Sequence, residues 1–169
     1  MSIIHKALDF AAMAHKGQTR KYTGEPYIVH PCAVAGLVRS VTTCNEAVAA
    51  ALLHDVVEDC GVSLGYLAEE FGVEVAAMVM DVTDVSRPGD GNRATRKRLD
   101  LEHIAKGGRY SQTIKLADLI DNTKSIVLYD PEFSKVYLRE KAALLEVLTK
   151  GDKTLLEIAR KMVTTCART

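Results

Sequence analysis

The chain carries no excess of either charge. Its 22 lysines and arginines are matched by 22 aspartates and glutamates, giving a net charge of zero with histidine neutral. Without a global basic field, extended DNA or RNA binding is disfavoured, although local basic patches remain available. No apolar run approaches the roughly 18 residues that cross a bilayer, and the N-terminus MSIIHKALDF has no charged-then-apolar leader pattern. A cytoplasmic protein without a membrane partner is the expectation. The four cysteines, Cys32, Cys44, Cys60 and Cys166, show no CxxC spacing. A chain of this length has core enough to stand without disulfide staples, so they read as reduced thiols rather than zinc or redox groups. Sustained two-residue alternation is missing too, as are internal repeats and low-complexity tracts.

What is present suits one soluble globular domain spanning residues 1–169, with 47% apolar and 26% charged residues. The pattern is helical from end to end. Ile3, Ile4, Ala7, Leu8, Ala11 and Ala14 follow helical spacing, and Gly17 stops that helix near His15 or Lys16. Residues 17–29 read as a loop, after which Pro31 opens a second helix to about Val41 with His30 as its cap. Further helices are expected over Ala47–Asp59, Ser63–Phe71, Val73 to about Val82, Arg93–Lys106, Ser111 to about Leu128, Lys135–Thr149 and Lys153 to about Thr165. Ser86–Gly91 is the clearest loop and a candidate mobile lid, and Asp130–Pro131 is read as a turn.

Chemistry concentrates in AVAAALLHDVVED, Ala47–Asp59, where His54-Asp55 and Glu58-Asp59 interrupt an alanine- and valine-rich helix. On a continuous helix all four share one sector, one turn apart. Carboxylates crowded there repel one another unless a cation intervenes; the bland alternative is an acidic helix end emerging into water. A metal needs more ligands, and two are at hand: His30 in YIVHP, held rigidly at a helix start, and Asp118, set in the apolar run of IKLADLIDN. A set of two histidines and two aspartates suits manganese, iron or zinc rather than a thiolate-type site.

The order His30, His54-Asp55, Asp118 resembles the metal signature of HD-domain phosphohydrolases. Three longer stretches, AHKGQTRKYTGEPYIVHP at Ala14–Pro31, LLHDVVED at Leu52–Asp59 and KLADLIDN at Lys115–Asn122, are similar to the hydrolase domain of RelA/SpoT-type enzymes. The likeness covers nearly the whole chain and is strongest to the stand-alone small alarmone hydrolases. It implies an all-α helical bundle of about eight to ten helices, on the pattern of helical repeats above. It also implies manganese dependence, with other divalent ions open, and removal of the 3′-pyrophosphate from ppGpp and pppGpp to give GDP or GTP.

On that resemblance His30, His54, Asp55 and Asp118 match metal ligands, and Glu58 and Asp59 match the catalytic acidic pair. Arg20, Lys21 and Asn122 match nucleotide contacts, and Lys97 and Tyr137 are further candidates for phosphate contact. Arg93, Arg96, Lys97 and Arg98 offer charges against phosphate. Two departures bear on the base. Leu119, Ile120 and Asp121 stand where the family often has a basic residue and an aromatic or histidine, and no arginine stands near Phe133. An adenine alarmone therefore stays open beside the guanine one. So do a generic HD 5′-nucleotidase and a non-catalytic alarmone-binding module, although the latter typically loses ligands or the acidic pair. The expected partner is a small-molecule nucleotide, with oligomeric state left open.

Overall fold

The computed structural model describes residues 1–167 and, among them, ten α-helices with no strand beyond one isolated bridge, Thr19 to Pro26. The all-α expectation holds. The first helix, α1 (Ile3–Ala14), is capped by Ser2, whose Oγ accepts from the His5 backbone N–H at 3.3 Å, and buries Ala7 and Ala11. The second, α2 (Val29–Val41), starts earlier than expected: the His30 N–H donates to the Tyr27 carbonyl, so His30 lies in the first turn rather than at its cap.

The third, α3 (Asn45–Leu53), is buried on every side from Ala47 to Leu53, as an all-apolar helix must be. It packs against α1 and α2. The expected continuous helix through Asp59 does not form. The helix ends at Leu53, His54 and Asp55 form a turn, and a short helix α4 (Val56–Cys60) follows. Asp55 sits in the sparsely populated bridge region, at φ −100° and ψ −6°, which re-aims the two side chains. Gly61, at φ +68°, then ends α4 in the left-handed conformation that favours glycine.

Next come α5 (Leu64–Phe71), capped by Ser63, and α6 (Val73–Val82). The expected lid holds a single 3₁₀ turn, Pro88–Asp90, and its entry is tied down. Asp100 Oδ1 accepts from the N–H groups of Val85 and Ser86 at 3.1 and 2.9 Å, and Asp100 Oδ2 from Ser86 Oγ at 3.0 Å. Asp100 belongs to α7 (Arg93–Lys106). The long α8 (Arg109–Tyr129) packs against α2, α3, α6 and the two last helices, α9 (Pro131–Val147) and α10 (Lys153–Cys166). Asp130-Pro131 is not a plain turn. Asp130 Oδ1 accepts from the Phe133 N–H at 3.2 Å and Pro131 occupies the first helical position, so the pair begins α9 four residues before Lys135.

Gln112 on α8 is fully buried and ties three elements together. Its Nε2 donates to the carbonyls of Ile104, Ala105 and Gly107 at 3.3 to 3.4 Å, and its Oε1 accepts from the Lys150 N–H at 2.8 Å. Gln112→Leu keeps the volume and orphans these backbone groups, so it should cost about 1–3 kcal/mol in urea unfolding. A loss within error of zero would show that the amide is not structural.

Candidate metal centre

Three segments converge on one point. The α2 first turn brings His30, the α3–α4 break brings His54 and Asp55, and the middle of α8 brings Asp118. Both histidines are buried, with rings 5.1 Å apart between centroids. Donor atoms of His30, His54 and Asp55 all lie within 4.8 Å of one another, a spacing that can hold a metal ion. Asp118 closes the set, its Oδ1 3.3 Å from His30 Nε2 and 3.9 Å from His54 Nε2.

The outer nitrogens of the imidazoles are already engaged. His54 Nδ1–H donates to the Ala51 carbonyl at 2.9 Å, and His30 Nδ1–H donates to Asp121 Oδ2 at 2.8 Å. With acceptors on Nδ1, the neutral rings carry their lone pairs on Nε2, and both Nε2 atoms face the carboxylates. His54 Nε2 is buried and makes no hydrogen bond among the described residues, although Asp55 Oδ2 is 3.0 Å away. An orphaned buried nitrogen lone pair beside two carboxylates is a good fit to a divalent cation of the borderline kind.

Around this core the charges are arranged in pairs. Tyr27 donates its hydroxyl to Asp55 Oδ2 at 2.7 Å. Lys115 Nζ lies 3.5 Å from Asp118 Oδ2, the oxygen turned away from His30. Burial works against the charge on His30, but hydrogen bonds to Asp118 and Asp121 outweigh it and raise its pKa to about 9. Burial likewise opposes ionisation of Asp55, yet the neighbouring His54 pulls it down to about 2.

The acidic pair stays beside the cluster but splits. Glu58 accepts from the Asp84 backbone N–H and lines a recess of about 350 Å³ with Asp84, Ser86, Arg93, Arg96 and Lys97. Burial, together with the Asp84 carboxylate, raises Glu58 to about 7 against the opposing backbone hydrogen bond. Asp59 turns toward Tyr27 and His15, and burial with the charge of Asp55 raises its pKa too. The helix break at His54-Asp55 is what separates them.

Arg20 donates to Asn122 Oδ1 at 2.9 Å, and Asn122 in turn donates to Asp118. Arg20, Lys21, Tyr22, Tyr27 and Asn122 line a second recess of about 210 Å³ on the other side of the cluster. Lys21 is exposed there, its Nζ 3.2 Å from the Tyr22 hydroxyl. Lys97 faces the first recess, paired with Asp84 at 2.8 Å. Of the basic residues on α7, Arg93 and Arg96 join it, whereas Arg98 pairs with Glu102 on the helix surface. Tyr137, the other candidate for phosphate contact, is buried in the contact between α8 and α9, its hydroxyl 3.3 Å from Thr123 Oγ1, and lines neither recess.

Sequence reasoning missed Tyr27, Lys115 and Asp84, and read Asp121 only as a departure bearing on the base. For Lys115 and Asp121 the signal was available, since they lie three residues either side of Asp118 on one helix face. Asp84 gave none, because it sits outside any helix in a loop without a motif.

In the metal-free protein the raised pKa of His30 is a stability statement. The folded value of about 9 exceeds the usual ~6.5 of an unfolded histidine, so its contribution is full below ~6.5 and lost as pH rises through about 9. Chelated protein should therefore show a urea midpoint that falls between about pH 6.5 and 9, and His30→Gln should flatten that limb. An alkaline limb unchanged by the substitution would remove His30 as its source.

The HD domain family model matches residues 7–144. Guanosine-3′,5′-bis(diphosphate) 3′-pyrophosphohydrolase MESH1 of Drosophila melanogaster is 36% identical over 129 residues, covering 75% of this chain and 70% of its own length. The human MESH1 is also 36% identical, over 130 residues, 75% of this chain and 71% of its own. Longer relatives match only in part: the probable guanosine-3′,5′-bis(diphosphate) 3′-pyrophosphohydrolase of Synechocystis is 37% identical over 82% of this chain, which spans 18% of that protein. The solved structure of a metazoan ortholog of SpoT that hydrolyses ppGpp superposes with a TM-score of 0.87 at 28% identity, over 98% of this chain and 96% of that one. A family model covering most of the chain, relatives matched over most of their own length and the shared helical architecture lead to one conclusion: the chain belongs to the HD-domain family.

Proposed function

We propose that this protein is a metal-dependent phosphohydrolase that removes the 3′-pyrophosphate from (p)ppGpp-type alarmones, releasing GDP or GTP and pyrophosphate. The reading rests on one observation above all: two buried imidazoles, each fixed by an acceptor on Nδ1, turn their Nε2 atoms toward Asp55 and Asp118. The names of the MESH1 relatives support the substrate class. We take residues 1–169 as one hydrolase domain acting in the cytoplasm on a small-molecule nucleotide.

His30, His54, Asp55 and Asp118 would hold the ion, with manganese our first choice among divalent metals. When bound, it would supply Lewis acidity at the reacting phosphorus and at water. Glu58, with a pKa of about 7, is suited to take a proton from the attacking water near neutral pH. Asp59 would orient that water from the Tyr27 side. As the bond between phosphorus and the 3′-oxygen breaks, the proton held by Glu58 would pass to that oxygen, which leaves as the nucleoside 3′-hydroxyl, while the charge on pyrophosphate needs offsetting. The recess with Arg93, Arg96 and Lys97 lies beside Glu58 to receive the phosphates, and the buried Arg96 Nε has no hydrogen-bond partner among the described residues. Arg20, Lys21 and Asn122 would hold the nucleoside in the other recess. Asp121, a departure from the family pattern, is engaged by His30 at 2.8 Å, so its first role here is toward the ligand rather than the base.

The direct test is incubation of chelator-stripped protein, with and without manganese, against ppGpp, pppGpp, ppApp and 5′-mononucleotides, separating pyrophosphate from orthophosphate. Metal-dependent pyrophosphate release is expected, and orthophosphate from mononucleotides alone would make the protein a nucleotidase. In the same assay Glu58→Gln with Asp59→Asn should keep bound metal and lose about 10²–10⁴-fold in turnover; full activity would sink the assigned roles. Asp121→Ala should weaken metal binding about 10–100-fold by titration with the ion, because the His30 ring loses its outer anchor. An unchanged affinity would mean that α2 alone orients the ring.

A further inference from the structure

Between α6, α7, α8 and α9 lies a cavity of about 500 Å³ that shares Asp84, Arg93 and Lys97 with the recess at Glu58 and whose apolar body has no part in the proposed reaction. Its wall is largely apolar, from Val82, Leu101, Ile104, Val136, Ala143 and Leu144. The charged groups around it are mostly engaged. Arg93 forks onto Glu140 at 2.7 and 2.9 Å, Lys97 lies 2.8 Å from Asp84 and 3.3 Å from Asp100, and Asp81 accepts from Ser111 Oγ at 2.7 Å.

Lys141 is the exception. Its ammonium lies 5.0 Å from the Tyr137 ring centroid, and among the described residues no carboxylate pairs with it. Burial, with the nearby charge of Lys115, brings its pKa down to about 8. A cation held in apolar surroundings is costly until an anion reaches it. A small inorganic anion would satisfy the charge and leave the apolar wall wet, whereas a neutral apolar molecule would leave the ammonium unpaired. The volume falls in the range of small-molecule sites, about 300–1,000 Å³.

We propose that this cavity is a binding site for an organic anion, an aromatic or aliphatic body carrying one carboxylate, sulfonate or phosphate, with Lys141 as its charge anchor. The cavity shares Asp84, Arg93 and Lys97 with the recess at Glu58, so its occupant lies directly against the wall of the candidate reaction site. The proposed substrate carries no organic group beyond its terminal phosphates, so the occupant is a separate ligand able to shift this wall.

The test uses the full chain, freed of metal by chelator and titrated with anilinonaphthalene sulfonate, an aromatic body bearing one anionic group. One saturable site with blue-shifted emission is expected. Lys141→Met should weaken it by about tenfold or more and Lys141→Arg by no more than about threefold. Val136 is 43% exposed, so Val136→Trp can crowd the cavity without disturbing the core, and it should abolish the site even where a Lys141 variant folds poorly. Unsaturable dye uptake, or equal affinity in wild type and Lys141→Met with matched thermal melts, overturns the proposal. Dye retained beside bound ppGpp supports a separate organic anion, and competitive displacement of the dye by ppGpp makes the cavity part of the substrate's phosphate site and overturns the proposal. Because the dye is read without metal or turnover, its failure and the failure of the proposed hydrolysis are separate results.

Discussion

Two buried imidazoles can turn their Nε2 atoms toward a shared cation site beside these carboxylates only if each ring has an acceptor for the proton on Nδ1. Here the Ala51 carbonyl takes that of His54 and Asp121 takes that of His30. The helix geometry follows from this requirement. An uninterrupted α3 would use the Ala51 carbonyl in its own ladder four residues on, at Asp55. Ending α3 at Leu53 frees that carbonyl for an imidazole and turns Asp55 back toward it. The break thus costs backbone hydrogen bonds and gains ring orientation, a local sacrifice of the kind expected where a site is built.

The second organising element is α8, which lays out the site along one face. Lys115, Asp118, Asp121 and Asn122 are spaced three or four residues apart around Asp118. Asp118 divides its oxygens between two tasks: Oδ1 faces His30, and Oδ2 faces Lys115. Toward one end of α8 the chain Asn122 to Arg20 leads into the smaller recess. Toward the other, Lys115 leads to Asp84 and from there to Lys97 and the larger spaces. A single carboxylate therefore connects both flanks, and the rigidity of a long packed helix fixes their separation.

The fold was largely legible because helices are written in short-range signals. Serine at Ser2 and Ser63, glycine at Gly61 and Gly72, and the apolar spacing of Ile3 to Ala14 act within one or two turns. The convergence of His30, His54, Asp55 and Asp118 was legible for a different reason: a histidine or aspartate inside an apolar run costs free energy unless something compensates, so its presence is informative. What failed was long-range or ambiguous. The break at His54-Asp55 is invisible in a pattern that stays apolar on both sides. Asp130-Pro131 opens a turn or a helix with equal local logic, and only packing of α9 on α8 decides. Tyr137 carries a hydroxyl and an apolar ring, and nothing near it in the chain shows that Thr123, fourteen residues back, meets it in the core. Asp121 read as a disturbance of substrate preference because its partner is ninety-one residues away.

Lys115 shows how the same residues serve two charge states of the site. In the absence of a cation, Asp55, Asp118, Asp84 and Glu58 form a negative field, and the buried Lys115, its pKa raised despite burial by Asp118 and Asp84, is the fixed charge that offsets it. It does so from the Oδ2 side of Asp118, away from the histidines, and so leaves Oδ1 free to face a cation. A lysine placed on the other oxygen would compete with a metal; one placed here lowers the repulsion among the carboxylates while sparing their ligand face. Lys115 stands three residues from Asp118 on the same helix face. That spacing brings the ammonium alongside the carboxylate's outer oxygen and within 3.9 Å of Asp84 Oδ1, joining the cluster to the wall that carries Lys97.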